Sequence, residues 1–188
     1  MDFTLLSISI SLSSLGSLLD NYTTYIFIRD LGVEFEANKR VRNGVKKHGY
    51  RRTLFLEAIL VIVFGIIDSL RLYYPFFLIG LVVLIVKGLA AAHNFQNIVE
   101  YRTIGVDSFK EKIRSKRQAF QNASLINRVE YVLPYLVEAL VCYVIYAILL
   151  SADFPLVILS RYFILGLALY FSATAFYLME YYSSRENC

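Results

Sequence analysis

The chain has 188 residues, of which 57% are hydrophobic and 18% are charged, with a formal net charge of +4. Its mean hydropathy of +0.55 is too high for an ordinary soluble domain, so the composition predicts an integral membrane protein. Cys142 and Cys188 are the two cysteines, and they predict neither a disulfide framework nor a cysteine-based metal site.

Five apolar segments are predicted to be transmembrane helices, because a helix needs about 20 mostly apolar residues to cross the hydrocarbon core. The first is rich in serine and its alternation resembles a strand. No second strand-like segment could close a barrel, so a helix is favoured there too. We therefore predict an all-α integral membrane bundle, with a tight hairpin through residues 71–75. The predicted spans are residues 3–29, 53–72, 74–97, 131–150 and 155–179.

Lysine and arginine are concentrated in two connecting segments, residues 30–52 and 98–130. The connections on the opposite side carry only Arg71 and Arg161. The positive-inside rule therefore predicts that both basic loops and the C-terminus are cytoplasmic and that the N-terminus is outside, in a multi-pass protein of the cell membrane.

The basic loops are expected to attract the anionic headgroups of the lipid bilayer. In the second loop, Phe109, Ile113 and Phe120 recur at helical spacing, which predicts an amphipathic helix lying on the membrane. The alternative is that both loops simply reflect the positive-inside rule. Nucleic-acid binding is disfavoured, because no aromatic platform or groove-reading motif accompanies the charge.

Ionisable residues inside the spans are the main functional signal, since a lone charge in hydrocarbon is costly and normally faces the bundle interior. On the first span, Ser9, Ser13, Gly16, Asp20 and Thr24 share one helical face, which predicts close approach of a neighbouring helix. Converting sequence position into depth places Lys87 and Glu138 near the midplane, where they are predicted to form an ion pair. The same arithmetic places Asp20, Glu57, His93 and Asn94 together in the cytoplasmic half.

The cytoplasmic cluster has three interpretations that the sequence leaves open. The polar groups could hydrogen-bond one another and fix helix register. They could pass protons or bind a cation. They could hold a divalent metal in a catalytic site, although spacing of the His-Glu-x-x-His kind is missing and no cofactor is otherwise predicted.

The stretch from Asp20 to Asn38 contains an Asp-x-x-Thr pattern, a following Gly and then Glu-x-Asn. It resembles an uncharacterised family of small prokaryotic multi-pass membrane proteins, of archaeal type, whose function is unknown. The matching positions are Asp20, Thr23, Gly32, Glu36 and Asn38, whereas Lys39 stands where that family usually has Pro. The resemblance implies an integral membrane protein and supplies no activity.

Gly32 is predicted to end the first helix at the cytoplasmic mouth. Glu36 and Asn38 follow it, and they are expected either to cap the next short helix or to fold back over the polar cluster.

Three functions are compatible with these features. The first is transport of ions, protons or a small solute, by the chain alone or as a homo-oligomer. The second is a non-catalytic subunit or assembly factor of a larger membrane complex. The third is a metal-dependent membrane-embedded enzyme acting on lipid, although the sequence favours a protein that is not an enzyme.

Overall fold

Seven α-helices and one short 3-10 helix make up the part of the chain that the computed structural model describes, residues 3–36, 38–70, 79–150 and 155–183. No strand occurs in these ranges, so the first segment is helical as predicted. The elements are α1 (Phe3–Leu31), the 3-10 helix (Val33–Phe35), α2 (Lys39–His48), α3 (Tyr50–Ser69), α4 (Ile79–Ile104), α5 (Val106–Asn122), α6 (Leu125–Leu149) and α7 (Pro155–Ser183).

Five of these helices are long, and they pack side by side. α1 lies against α3 and α4, α4 also packs on α7, and α6 packs on α7. Within the described ranges, the helices long and apolar enough to cross a membrane are Ile79–Ile104, Asn127–Leu149 and Ser160–Tyr181. α1 is rich in serine, and α3 carries four charged residues.

The contact between α1 and α4 is close because small residues line both helices. A Cβ added at Gly16 would lie 2.8 Å from Cα of Leu84, and one added at Gly80 would lie 2.5 Å from the carbonyl oxygen of Ser9. Ser9 and Ser13 are fully buried. The predicted small-residue face of α1 is therefore the surface on which α4 packs.

All the basic segments meet at one end of the bundle, which we call the basic end. There α1 stops at Leu31, and Gly32 turns the chain with a φ of 105°, a conformation that favours glycine. Asn38 then accepts a hydrogen bond from the backbone N–H of Val41 at 3.3 Å, which caps α2. The two predictions, a helix end at Gly32 and a cap at Asn38, are confirmed.

The helix predicted within residues 98–130 exists as α5, but its apolar face has a different partner. Phe109 is buried against Phe27, Phe35 and Tyr101, and Ile113 packs on the same cluster. The ends of α1 and α4 therefore cover the apolar side chains that were expected to face the membrane, and a location of this helix on the membrane surface stays a prediction. The predicted loop 30–52 likewise contains α2, and the predicted hairpin at residues 71–75 lies outside the described residues.

Candidate functional site

A lysine shared by two carboxylates lies where α1, α3 and α4 meet. Nζ of Lys87 donates to Oδ2 of Asp20 at 2.8 Å and also to Glu57. All three side chains are at least two-thirds buried, with 30% of Lys87, 16% of Asp20 and 17% of Glu57 exposed. We call these three residues the charged triad. Two carboxylates and one ammonium give it a formal charge of −1.

The predicted ion pair between Lys87 and Glu138 does not form. The stripe of α4 that carries Lys87 faces α1 and α3, whereas Glu138 is exposed on α6, which packs against α7. The depth estimate compared heights along the helices and could not say which helix each side chain faces. Lys87 is instead the counter-charge of Asp20 and Glu57, for which the sequence offered no partner.

On the side of the triad away from the basic end, polar groups continue along the same face of α1. Ser9 donates to Asp68 of α3, and that carboxylate also accepts from the backbone N–H groups of Ile79 at 2.9 Å and Gly80 at 3.0 Å. Between Ser9 and the triad, the hydroxyls of Ser13 and Ser17 are buried without a hydrogen-bond partner in the described structure.

On the side toward the basic end, the next polar contact joins α4 to α1. Nδ2 of Asn94 donates to the hydroxyl of Thr24 at 3.0 Å and approaches that of Thr23 at 3.5 Å. Thr23 and Thr24 are both buried. Asn94 therefore lies one helical turn or two beyond the triad, on the stripe that also carries Lys87. The stripe of α4 that carries Lys87 and Asn94 is a contact surface with α1.

A cavity of about 300 Å³ opens beyond Asn94 at the basic end, between α1, α4, α5, α6 and α7. Six aromatic rings line it, contributed by Phe27, Phe35, Phe109, Tyr131, Tyr135 and Tyr181. Its polar lining consists of Glu36, His93, Asn94, Asn97, Glu100, Lys112 and Lys116.

Glu36 connects the triad to this cavity. Its Oε1 accepts from the backbone N–H of Asn38 at 2.9 Å, and its side chain lines the cavity. Burial raises the pKa of Glu36 to about 7, while the N–H of Asn38 lowers it; the charge of Asp20 raises it and that of Lys87 lowers it. Of the two predicted roles at the mouth, Asn38 takes the cap and Glu36 folds back over the polar groups.

Polar side chains therefore follow one another along the face of α1 from Ser9 to Thr24, and we call this row, with its partners on α3 and α4, the polar line. Asp20, Glu57 and Asn94 belong to it. His93 lies on the cavity wall without a hydrogen bond to them. Sequence reasoning missed the interhelical bond of Asp68. It also missed Asn21, which donates to Glu57 and whose carbonyl accepts from Tyr50.

Metal ligation was the third predicted use of these residues. In the described part of the chain, no group of three or more His, Cys, Asp or Glu side chains could hold a metal ion. The divalent metal stays a prediction, for which the described residues supply no ligand set.

Comparison with known proteins gives no relative. No family model, curated protein or solved structure matches the chain. The resemblance to the small prokaryotic membrane family stays a prediction, and any function has to be argued from the polar line and the cavity.

Proposed function

We propose that the chain is a small multi-pass membrane protein that carries protons, or a small cation, along the polar face of α1 to the cavity at the basic end. In this proposal all five long helices cross the cell membrane, with the basic end in the cytoplasm, as the positive-inside rule predicts. Ser9 and Thr24 are fifteen residues apart, which is about 22 Å of helix. That is most of a hydrocarbon core about 30 Å thick.

The observation that carries the proposal is the pair of buried hydroxyls at Ser13 and Ser17. A buried polar group without a protein partner costs free energy and is normally satisfied by water. A serine hydroxyl both donates and accepts, so water or a cation beside it would continue the line from Asp68 to the triad. A merely structural stripe of small residues needs no such unsatisfied hydroxyls.

The charge of the triad supports the same proposal. Lys87 offsets one carboxylate charge and leaves the other for a proton or a cation. A proton leaving the triad has Asn94 and Thr24 next to it and then Glu36, whose pKa of about 7 allows both protonation states near neutral pH.

Proton flux into proteoliposomes tests the proposal. We expect flux above that of protein-free vesicles, reduced at least tenfold in Glu57→Gln and in the double variant Ser13→Ala/Ser17→Ala. Ser11→Ala is the matched control, because Ser11 lies on the exposed side of the same helix. The proposal is refuted if the wild-type protein gives no flux, or if the buried-serine and exposed-serine variants conduct equally.

A second function, as a subunit of a larger membrane complex or as a homo-oligomer, is favoured by Glu138. This residue is exposed on a helix whose neighbouring Val137 and Val141 are also exposed and apolar. A carboxylate facing lipid is costly, so a partner helix that offers a donor would stabilise it. Mild extraction from native membranes should yield a complex that Glu138→Leu disrupts. If the wild type and the variant are both extracted as a monodisperse single chain, this second function is contradicted.

A further inference from the structure

The cavity at the basic end has walls of two kinds. Aromatic rings from α1, α5, α6 and α7 form its apolar wall, and α5 contributes two lysines, Lys112 and Lys116. A pocket of a few hundred cubic ångströms with apolar walls and a few polar groups is typical of sites for small ligands. Its volume of about 300 Å³ suits a group the size of a lipid headgroup.

The lining holds two lysines and two glutamates, so an excess of positive charge in the cavity depends on the protonation of Glu36. Lys112 is paired with Glu100, but Lys116 has no carboxylate within ion-pair distance in the described part of the chain. Glu36, the other acidic residue of the lining, is only partly ionised near neutral pH. The wall also includes Tyr181, over whose ring the Arg117 guanidinium lies at 4.2 Å.

Arg42 adds a second buried cation behind this wall. Its guanidinium lies 5.8 Å from the centre of the Tyr181 ring, on a side chain that is 2% exposed. Lys112 and Lys116 therefore make the cavity a place where an anion is favoured.

We propose that this cavity binds a phosphate ester, with Lys116 and Lys112 donating to the phosphate and the aromatic rings enclosing the carbon atoms next to it. Lysine ammonium groups make strong, charge-assisted hydrogen bonds to phosphate oxygens. Asn97 and Tyr135 lie on the same wall and supply donors for hydroxyl groups of the ester. The ester is either the headgroup of an anionic phospholipid or a small soluble phosphate ester. The proton path of the proposed function ends at this cavity, but neither lysine belongs to the polar line of α1, so substituting a lysine leaves the residues of that path in place.

Thermal unfolding of the purified full chain in detergent, followed by circular dichroism, measures the binding. The probes are dihexanoyl phosphatidylglycerol, dihexanoylglycerol as the same lipid without phosphate, and glycerol 3-phosphate. We expect saturable stabilisation by a phosphate-bearing probe and none by dihexanoylglycerol. Stabilisation by glycerol 3-phosphate at the same concentration would identify a soluble ester, and stabilisation by phosphatidylglycerol alone would identify a lipid.

Lys116→Gln should weaken that binding at least tenfold, because this lysine forms no ion pair with a carboxylate of the described residues. Lys46→Gln is the matched control, since it removes the same charge from an exposed position on α2, away from the cavity. The proposal is overturned if no phosphate-bearing probe stabilises the wild-type protein, if dihexanoylglycerol stabilises it equally, or if the two lysine variants lose the same affinity. This assay measures ligand binding and no proton flux. A negative result here therefore does not refute the proposed proton path, and a negative flux result does not refute ligand binding in the cavity.

Discussion

The ionisation of Glu36 should make the stability of the folded protein fall as the pH rises. Its pKa is raised from an ordinary 4.5 to about 7, chiefly by burial at the cavity wall. The folded state therefore binds a proton more tightly than the unfolded state does. Linkage then requires that the free energy of unfolding be highest below pH 4.5 and decrease through the interval up to about pH 7.

The size of this change follows from the same two pKa values. A difference of 2.5 units, at 1.36 kcal/mol per unit, is about 3 kcal/mol. Solvent that reaches the exposed part of the side chain lowers this figure, so 3 kcal/mol is an upper value. Glutamine has the shape of the protonated acid and no charge to lose. Glu36→Gln should therefore remove this part of the pH dependence and leave stability near that of the wild type at low pH.

Denaturant unfolding in detergent micelles between pH 4.5 and pH 8 provides the test. Glu111→Gln is the control, because it removes a carboxylate from an exposed position on α5. Infrared spectroscopy gives a second measurement, a protonated-carboxyl band near neutral pH that is absent in Glu36→Gln. The reasoning is refuted if the wild type and Glu36→Gln lose stability in parallel over this interval.

Two further changes test the packing of α4. Lys87→Met should destabilise the protein by about 3 kcal/mol, because it leaves two buried carboxylates without a cation. Equal stability of the variant and the wild type in denaturant unfolding would contradict the pairing of Lys87 with Asp20 and Glu57. Gly80→Ala should cost about 1–3 kcal/mol, because its methyl group would overlap the backbone of Ser9. Gly88→Ala, where a Cβ meets nothing within 4 Å, should be neutral or stabilising by up to about 1 kcal/mol.

Helix positions and helix faces could be predicted well from this sequence, because they depend on local pattern. The run of small residues on α1 and the stripe carrying Lys87 and Asn94 both turned out to be contact surfaces. The spacing of Phe109 and Ile113 likewise predicted a helix correctly. In each case one element's own periodicity carried the information.

The residues that each side chain contacts on other helices could not be predicted, because these contacts depend on how the helices are arranged around one another. Depth along the membrane normal made Lys87 and Glu138 look like a pair, although their side chains face different helices. The apolar face of α5 could have rested on lipid or on protein, and only the positions of Phe27 and Tyr101 decide between the two. The buried hydroxyls of Ser13 and Ser17 are visible only once α4 lies over them.

Asp68 has a consequence for how the chain enters a membrane. It lies in the last turn of α3, and it accepts hydrogen bonds from the first N–H groups of α4 at Ile79 and Gly80. Inserted alone, α3 would carry an unsatisfied carboxylate, and α4 would carry unsatisfied amides at its first turn. The two helices satisfy each other only when they are side by side, which favours insertion as a pair, with the hydroxyl of Ser9 bonding to Asp68 once α1 has docked.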